Sequence, residues 1–282
     1  MDASDRPGVA VVHLVAPAKL TVTLEVRGPR PDGRHDLRVE MVSVDLADEL
    51  TVDPGGEGLE VTAEPPAVAA GPTRGPENLV QRALNAVGRR AGVRLVKRIP
   101  VGGGLGGGSA DAAAILRWAG ATDPELAASL GADVPFCVVG GRAEVTGIGE
   151  RVRPLGYEER SFVLLLPPFG VDTGAVYRAW DALAAGGGPG DRSSGGPNDL
   201  TAAALAVEPR LARWRDRFAE VSGREPVLAG SGSTWFVEGG PEELGLASRR
   251  ALTLDGAEAP LVAVRTVPAG WPGRPTAGGP GS

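Results

Sequence analysis

The stretch Ile99-Pro100-Val101-Gly102-Gly103-Gly104-Leu105-Gly106-Gly107-Gly108-Ser109-Ala110-Asp111-Ala112-Ala113-Ala114-Ile115-Leu116 decides how the chain is read. Six glycines lie between Gly102 and Gly108, broken only by Leu105. Glycine reaches positive φ and lets a ligand approach the backbone with no Cβ in the way. Ser109 is a good N-cap, and the run from Ala110 to Trp118 favours helix. A glycine-rich loop feeding a helix N-terminus offers free N–H groups at the positive end of a dipole. That makes an anion site, and the expected anion is phosphate.

A flexible linker is the plain alternative in a chain with 43 glycines. Linkers, however, are not led in by an alternating strand and followed by a clean helix. Neither standard nucleotide fingerprint is present. The Gly-Lys-Ser/Thr ending of a Walker loop is missing, and no βαβ unit surrounds the available Gly-x-Gly-x-x-Gly register.

Length and composition set the outer bounds. The 282 residues are 42% hydrophobic and 23% charged, which is ordinary for a globular protein of one or two domains. A formal charge of −6 argues against a general nucleic-acid binder or an RNA-binding structural module. The single cysteine, Cys137, has no internal disulfide partner. No apolar run reaches membrane-spanning length, and Met1-Asp2-Ala3-Ser4-Asp5 lacks the basic and apolar regions of a signal peptide, so a cytoplasmic location is expected. Of 29 basic residues only Lys19 and Lys97 are lysines. Where arginine fills nearly every basic position, a retained lysine suggests a need for its compact ammonium.

Taken in order, residues 1–8 read as a leader, followed by β-rich runs at 9–15 and 20–26 separated by Ala16-Pro17-Ala18-Lys19. Arg30-Pro31-Asp32-Gly33 reads as a turn, and runs 39–46 and 50–52 resume β-structure around a turn near Asp45 and Asp48. A strand is expected at 59–62, a helix at 77–91, a strand at 93–99, and a helix at 110–118. Asp123-Pro124 should cap a short helix ending near Gly131. An apolar strand at 136–139 with a hairpin partner at 142–146 is expected next. Beyond a boundary near 155–160 come a strand at 161–166, a helix at 173–184 capped by Thr173, and a low-complexity loop at 185–197. Helices at 199–206 and 208–221 follow, then a strand–loop–strand at 227–237, a helix at 241–252 and a strand at 261–267. This order gives an α+β fold of two lobes. The boundaries are an N-terminal unit at 9–157, a C-terminal unit at 158–268 and a flexible tail at 269–282.

Three separated segments, Pro17-Ala18-Lys19, Pro100 to Ala113, and Gly230-Ser231-Gly232-Ser233-Thr234, together resemble the GHMP kinase superfamily, named for galacto-, homoserine, mevalonate and phosphomevalonate kinases. More specific pieces are Arg30-Pro31-Asp32-Gly33-Arg34-His35, Asn78-Leu79, Lys97 to Ser109, Leu130-Gly131-Ala132-Asp133-Val134-Pro135 and Asn198-Asp199-Leu200. These are most similar to the branch that acts on a cytidine diphosphate-linked methylerythritol in isoprenoid precursor synthesis. The likeness spans residues 13 to 267.

The resemblance implies a two-lobed GHMP kinase fold, with a ribosomal-S5-like N-terminal lobe, a ferredoxin-like C-terminal lobe and a substrate cleft between them. It implies transfer of the γ-phosphate of ATP, accompanied by Mg²⁺, to a tertiary hydroxyl. By the same resemblance Asp133 is the general base and Lys19 its partner. The loop from Pro100 through Val101, Gly102, Gly103, Gly104, Leu105, Gly106, Gly107 and Gly108 to the N–H groups of Ser109 and Ala110 holds the triphosphate. Asn78 and Lys97 lie near the nucleoside. His35 reads the cytosine edge with its paired nitrogens, while Tyr177 and Thr173 contribute to the substrate side. No protein-built metal cluster is expected.

Two departures stand out: Arg34 where the family often has an aromatic, and Thr21 where an asparagine is common. Competing readings are a homoserine- or mevalonate-type kinase, which would not need His35 and Tyr177, and a non-catalytic nucleotide-binding regulator, which would not need Lys19 and Asp133.

Overall fold

The computed structural model describes residues 10–65, 77–185 and 196–273. The expected leader at 1–8 and most of the 185–197 loop lie outside them, as does 274–282 of the expected tail.

The chain opens with two very long strands, β1 (Val12–Pro29) and β2 (His35–Asp53), paired antiparallel from Val12 opposite Val52 to Pro29 opposite His35. This corrects the expectation of two short strand pairs. Pro17, which reads as a break, sits at a register shift, where a missing ladder N–H is tolerated. Across from it, Ala47 pairs with Pro17 and Val44 with Ala18, so Asp45 and Leu46 form a bulge in place of the expected turn. The expected turn after Pro29 is present, with Gly33 N donating to Arg30 O at 3.0 Å and Gly33 at φ +76°.

Strand β3 (Leu59–Ala63) pairs parallel with β4 (Gly92–Lys97), and helix α1 (Leu79–Ala86) lies between them in sequence. Helix α1 is shorter than expected. Asn78 caps it by accepting from Val80 N at 2.9 Å, and the chain turns away at Gly88, φ +63°. Helix α2 (Gly107–Ala119) starts earlier than expected: its N-cap is Gly106 at φ +68°, not Ser109. Residues Ala110 to Leu116 are all buried, so α2 is wrapped on every side, and its small residues admit close neighbours.

Helix α3 (Pro124–Leu130) carries the expected Asp123 cap and Pro124 start. Helix α4 (Val134–Val139) replaces the expected apolar strand. Pro135 in its first turn favours helix over sheet, and Val134 and Phe136 are buried in the core. Strand β5 (Arg142–Gly147) therefore pairs with β2 and with β6 (Arg151–Pro154), not with residues 136–139. The resulting six-stranded sheet runs β3-β4-β2-β5-β6, with β1 also on β2.

The rest of the chain runs through β7 (Ser161–Leu165), helices α5 (Thr173–Ala185), α6 (Thr201–Val207) and α7 (Arg210–Ser222), β8 (Val227–Leu228), β9 (Trp235–Glu238), β10 (Ala251–Leu254) and β11 (Ala257–Arg265). Its five strands form a second, antiparallel sheet in the order β10-β11-β7-β9-β8. Asp172, not Thr173, satisfies the start of α5, accepting from Ala175 N at 2.5 Å. The expected helix at 241–252 is a short turn followed by β10. The overlooked signal is Asp255-Gly256, both at positive φ, which closes a two-residue hairpin into β11.

The two sheets are joined by polar contacts as well as chain. Leu24 N donates to Pro197 O and Asp199 N to Leu24 O, while the Asp199 carboxylate accepts from Val26 N at 2.8 Å. Thr266 bridges to Val44, and Val267 N donates to Ser43 O at 2.9 Å. Among the described residues no helix is long and apolar enough to cross a membrane.

Candidate active site

The glycine loop and the second glycine-rich segment are docked backbone to backbone. Thr234 N donates to Gly103 O at 3.3 Å, and a Cβ on Gly104 would lie 2.2 Å from Ala229 O. Gly104 has φ +77°, so glycine is required there both by conformation and by space. Asn198 holds the second segment in turn: its amide donates to Leu228 O at 2.8 Å and Gly230 O at 2.7 Å, while Oδ1 accepts from Leu200 N. Two loops far apart in sequence thus form one rigid rim.

Beside that rim opens a cleft of about 760 Å³. Its lining includes Pro100 to Ser109, Asn78, Lys97, Lys19, Asp133, His35, Tyr177 and Thr173. The structure therefore gathers almost every predicted residue around one space. Ala110 is the exception. It is buried, and its N–H donates to Gly106 O at 2.9 Å, so that amide closes the first helical turn and is not free for a phosphate.

Lys19 is almost fully buried on β1, and its N–H donates to Leu105 O at 3.0 Å, tying the strand to the loop. A Cβ on Gly106 would fall 2.7 Å from Lys19 Cγ, so the loop can close over the lysine stem only with glycine there. The ammonium donates to Thr21 Oγ1 at 3.2 Å and faces Asp133 Oδ2 at 3.3 Å. Asp133 occupies the N-cap position of α4, yet its side chain makes no cap hydrogen bond. The carboxylate is turned to Lys19 instead and keeps about a third of its surface exposed. One turn on, Cys137 is sealed in. Burial, with Asp133 nearby, pushes its thiol up to about 12, so it is not a ready nucleophile.

Lys97 sits under the loop, in a buried triad that the sequence did not reveal. Its ammonium is paired with Asp48 and lies 2.6 Å from Asp111 Oδ2. Asp48 also accepts from Arg98 N at 2.5 Å and Ile99 N at 2.8 Å, fixing the exit of β4 into the loop. Burial works against the Lys97 charge, but Asp111 and Asp48 outweigh it and hold its pKa above the ordinary value. Lys97 therefore lines the cleft with its charge already committed. A buried lysine calls for a buried acid, which is the signal that would have singled out Asp48 from a nominal turn.

At the other end of the cleft His35 is nearly sealed. Tyr177 stacks on it at 5.0 Å between ring centroids, and Trp180 meets it edge-on at 5.2 Å. Asp181 Oδ1 lies 2.7 Å from His35 Nε2. Burial, with Asp133 adding to it, raises the Tyr177 phenol above its usual range, so it stays protonated. Thr173, Tyr177 and Asp181 recur every four residues along one face of α5, a spacing visible in the sequence. Thr173 Oγ1 is 2.8 Å from Ser231 Oγ, linking this helix to the second glycine segment.

The residues fit a nucleoside triphosphate. The helix N-terminus and the Cβ-free loop make an anion cradle. Asp111 Oδ1 and Thr234 Oγ1, both beside the loop, are buried without hydrogen-bond partners. Among the described residues no group of three or more His, Cys, Asp or Glu could hold a metal ion.

The model of the GHMP kinases N terminal domain matches residues 78–141, the segment from the α1 cap through α4. Fold and cleft together define a small-molecule kinase of the GHMP superfamily. A protein of Pelotomaculum thermopropionicum named 4-diphosphocytidyl-2-C-methyl-D-erythritol kinase is 39% identical over 80% of this chain and 88% of its own length. The protein of that name from Thermus thermophilus is 38% identical, over 79% and 86%. The chain belongs to the family of 4-diphosphocytidyl-2-C-methyl-D-erythritol kinases. A crystal structure of 4-(cytidine 5'-diphospho)-2C-methyl-D-erythritol kinase superposes with a TM-score of 0.67 at 34% identity, covering 91% of this chain and all of that one. The L. major mevalonate kinase, at TM-score 0.60 and 12% identity, covering 91% of this chain and 96% of its own, shares the fold.

Proposed function

We propose that this kinase transfers the γ-phosphate of ATP to the 2-hydroxyl of 4-diphosphocytidyl-2-C-methyl-D-erythritol, with Asp133 as general base and Lys19 as its partner. The observation that carries the reading is the 3.3 Å contact between Lys19 and Asp133, between the glycine loop and the His35–Tyr177 pocket. Phosphoryl transfer needs alignment, charge neutralisation and an acceptor for the hydroxyl proton. Asp133 is a partly exposed carboxylate with no competing cap bond, suited to take that proton. Lys19, steadied by Thr21, fixes the carboxylate and balances the negative charge that gathers there. Residues Pro100 to Ser109 cradle the phosphates, and Asn78 and Lys97 border the nucleoside end. His35, Tyr177 and Thr173 line the acceptor's side.

ATP supplies the phosphoryl group. Mg²⁺ would enter with its phosphates, with the Ser109 hydroxyl available toward it, since oxygen ligands and waters suit that ion. A cytoplasmic enzyme acting on small molecules, without nucleic acid, is consistent with the charge of −6. We further propose the division into units at 9–157 and 158–268, supported by the two separate sheets, with a tail from 269.

The test is ADP release from Mg-ATP with the cytidyl substrate, homoserine or mevalonate as acceptor. Turnover with the cytidyl compound alone is expected. Turnover with another acceptor would replace the substrate, and nucleotide binding without turnover on any of the three would favour a regulator.

A further inference from the structure

One contact in the cleft has no part in phosphate binding or proton transfer: the hydrogen bond between His35 and Asp181, which crosses from β2 to α5. We infer that Asp181 is a positioning residue that sets which proton His35 carries, and thereby makes the site select cytosine over uracil. This rests on the cytidine reading given above.

A carboxylate only accepts, so the 2.7 Å contact places the proton of the neutral imidazole on Nε2. Nδ1 is then a bare acceptor. It has no hydrogen-bond partner among the described residues and is not one of the sealed, unpartnered atoms, and His35 lines the cleft. Nδ1 therefore opens on the space a base would fill. Tyr177 against the face of the ring and Trp180 at its edge hold its plane, so the orientation is fixed before a ligand arrives.

Cytosine presents an amine at C4, where uracil presents a carbonyl oxygen. An acceptor in the fixed ring meets a donor in the first case and another acceptor in the second. A site built around one hydrogen bond rejects the mismatched analogue because a buried polar group is left unpaired. Without Asp181 the proton is free to sit on either nitrogen, and the distinction weakens. Asp181 is about half exposed, and its ion-pair partner among the described residues is His35, so a role in core packing does not explain it.

The experiment compares kcat and KM for the cytidyl substrate and its uridyl analogue, and KM for ATP, in the native enzyme, Asp181→Ala and Asp181→Asn. For Asp181→Ala the cytidyl KM should rise about tenfold and the cytidyl-to-uridyl preference should fall about as much, a change worth one lost hydrogen bond. KM for ATP should stay within about twofold. Asp181→Asn, whose amide oxygen still accepts the Nε2 proton, should keep most of the preference.

Nitrogen-15 spectra of the two histidines, His13 and His35, give an independent signature: His35 should show a protonated Nε2 and a bare Nδ1 in the native enzyme, and a mixture in Asp181→Ala. An unchanged preference in Asp181→Ala, or an equal loss in Asp181→Asn, would overturn the inference while leaving the cytidine reading standing. A native enzyme indifferent to the base would remove both.

Discussion

Lys97 and Asp111 face each other at 2.6 Å under the glycine loop, each with about 4% of its side chain exposed. Burial pushes the Asp111 carboxyl up to about 8, with Lys97 opposing and Asp48 adding to the rise. The folded protein thus holds a proton that the unfolded chain, near 3.8, has already released. The contribution is fully present below about 4 and is lost as pH climbs through about 8. Asp111→Asn removes the titration and keeps a partner for Lys97. Its melting temperature should fall less than that of the native protein between pH 6 and pH 8.5; parallel curves would assign the proton elsewhere.

Asp133→Asn should lower kcat by about 10²–10⁴-fold, the usual span for a lost general base, with ATP affinity little changed. Lys19→Ala should be similarly damaging, and the double variant should be scarcely worse than either single one, because the two act as a unit. Calorimetric ATP titration alongside steady-state rates checks both halves of the expectation. Additive losses would separate the two roles.

Gly104→Ala and Gly102→Ala form a matched pair. Both positions have positive φ, +77° and +74°, so the conformational cost is shared. Only at position 104 would the new methyl strike a backbone carbonyl, Ala229 O at 2.2 Å; at position 102 its nearest neighbour is 3.5 Å away. Gly104→Ala should therefore be the less stable by about 1–3 kcal/mol in urea unfolding, the range for forced overpacking. Equal stabilities would mean that the two loops part easily.

Asn198→Ala leaves two carbonyls and one amide of a buried junction unpaired. At about 1–3 kcal/mol for a buried unsatisfied group, a loss of about 3 kcal/mol is expected after partial relaxation. Asn198→Asp should not rescue, since a carboxylate would face the oxygens of Leu228 and Gly230. The same urea measurement decides.

The glycine loop, the helix behind it and the gathering of Lys19, Asp133, His35 and Tyr177 around one cleft were legible because each stands in a local pattern. What the sequence hid depended on the partner. Pro17 reads as a break until β2 supplies the bulge opposite it. Phe136 to Val139 reads as strand until Pro135 and the burial of Phe136 favour a helix. Residues 241–252 have helical composition, yet the Asp255-Gly256 turn commits the end of that run to a hairpin. Asp48 and Asp111 become meaningful only once Lys97 is buried between them. Asp181 was within reach, one turn beyond Tyr177 on the same face of α5.

The scarcity of lysine has a practical side. Lys19 and Lys97 are the chain's entire stock of side-chain amines, and both are about 95% or more enclosed in the cleft walls. Acylating dyes, aldehydes and amine-directed cross-linkers will find no exposed lysine on the native protein. Such reagents would report loss of the fold, and any that did enter would label the phosphate pocket. The surface can be tethered or fluorescently marked at a lysine introduced anywhere, with almost no background from the native chain.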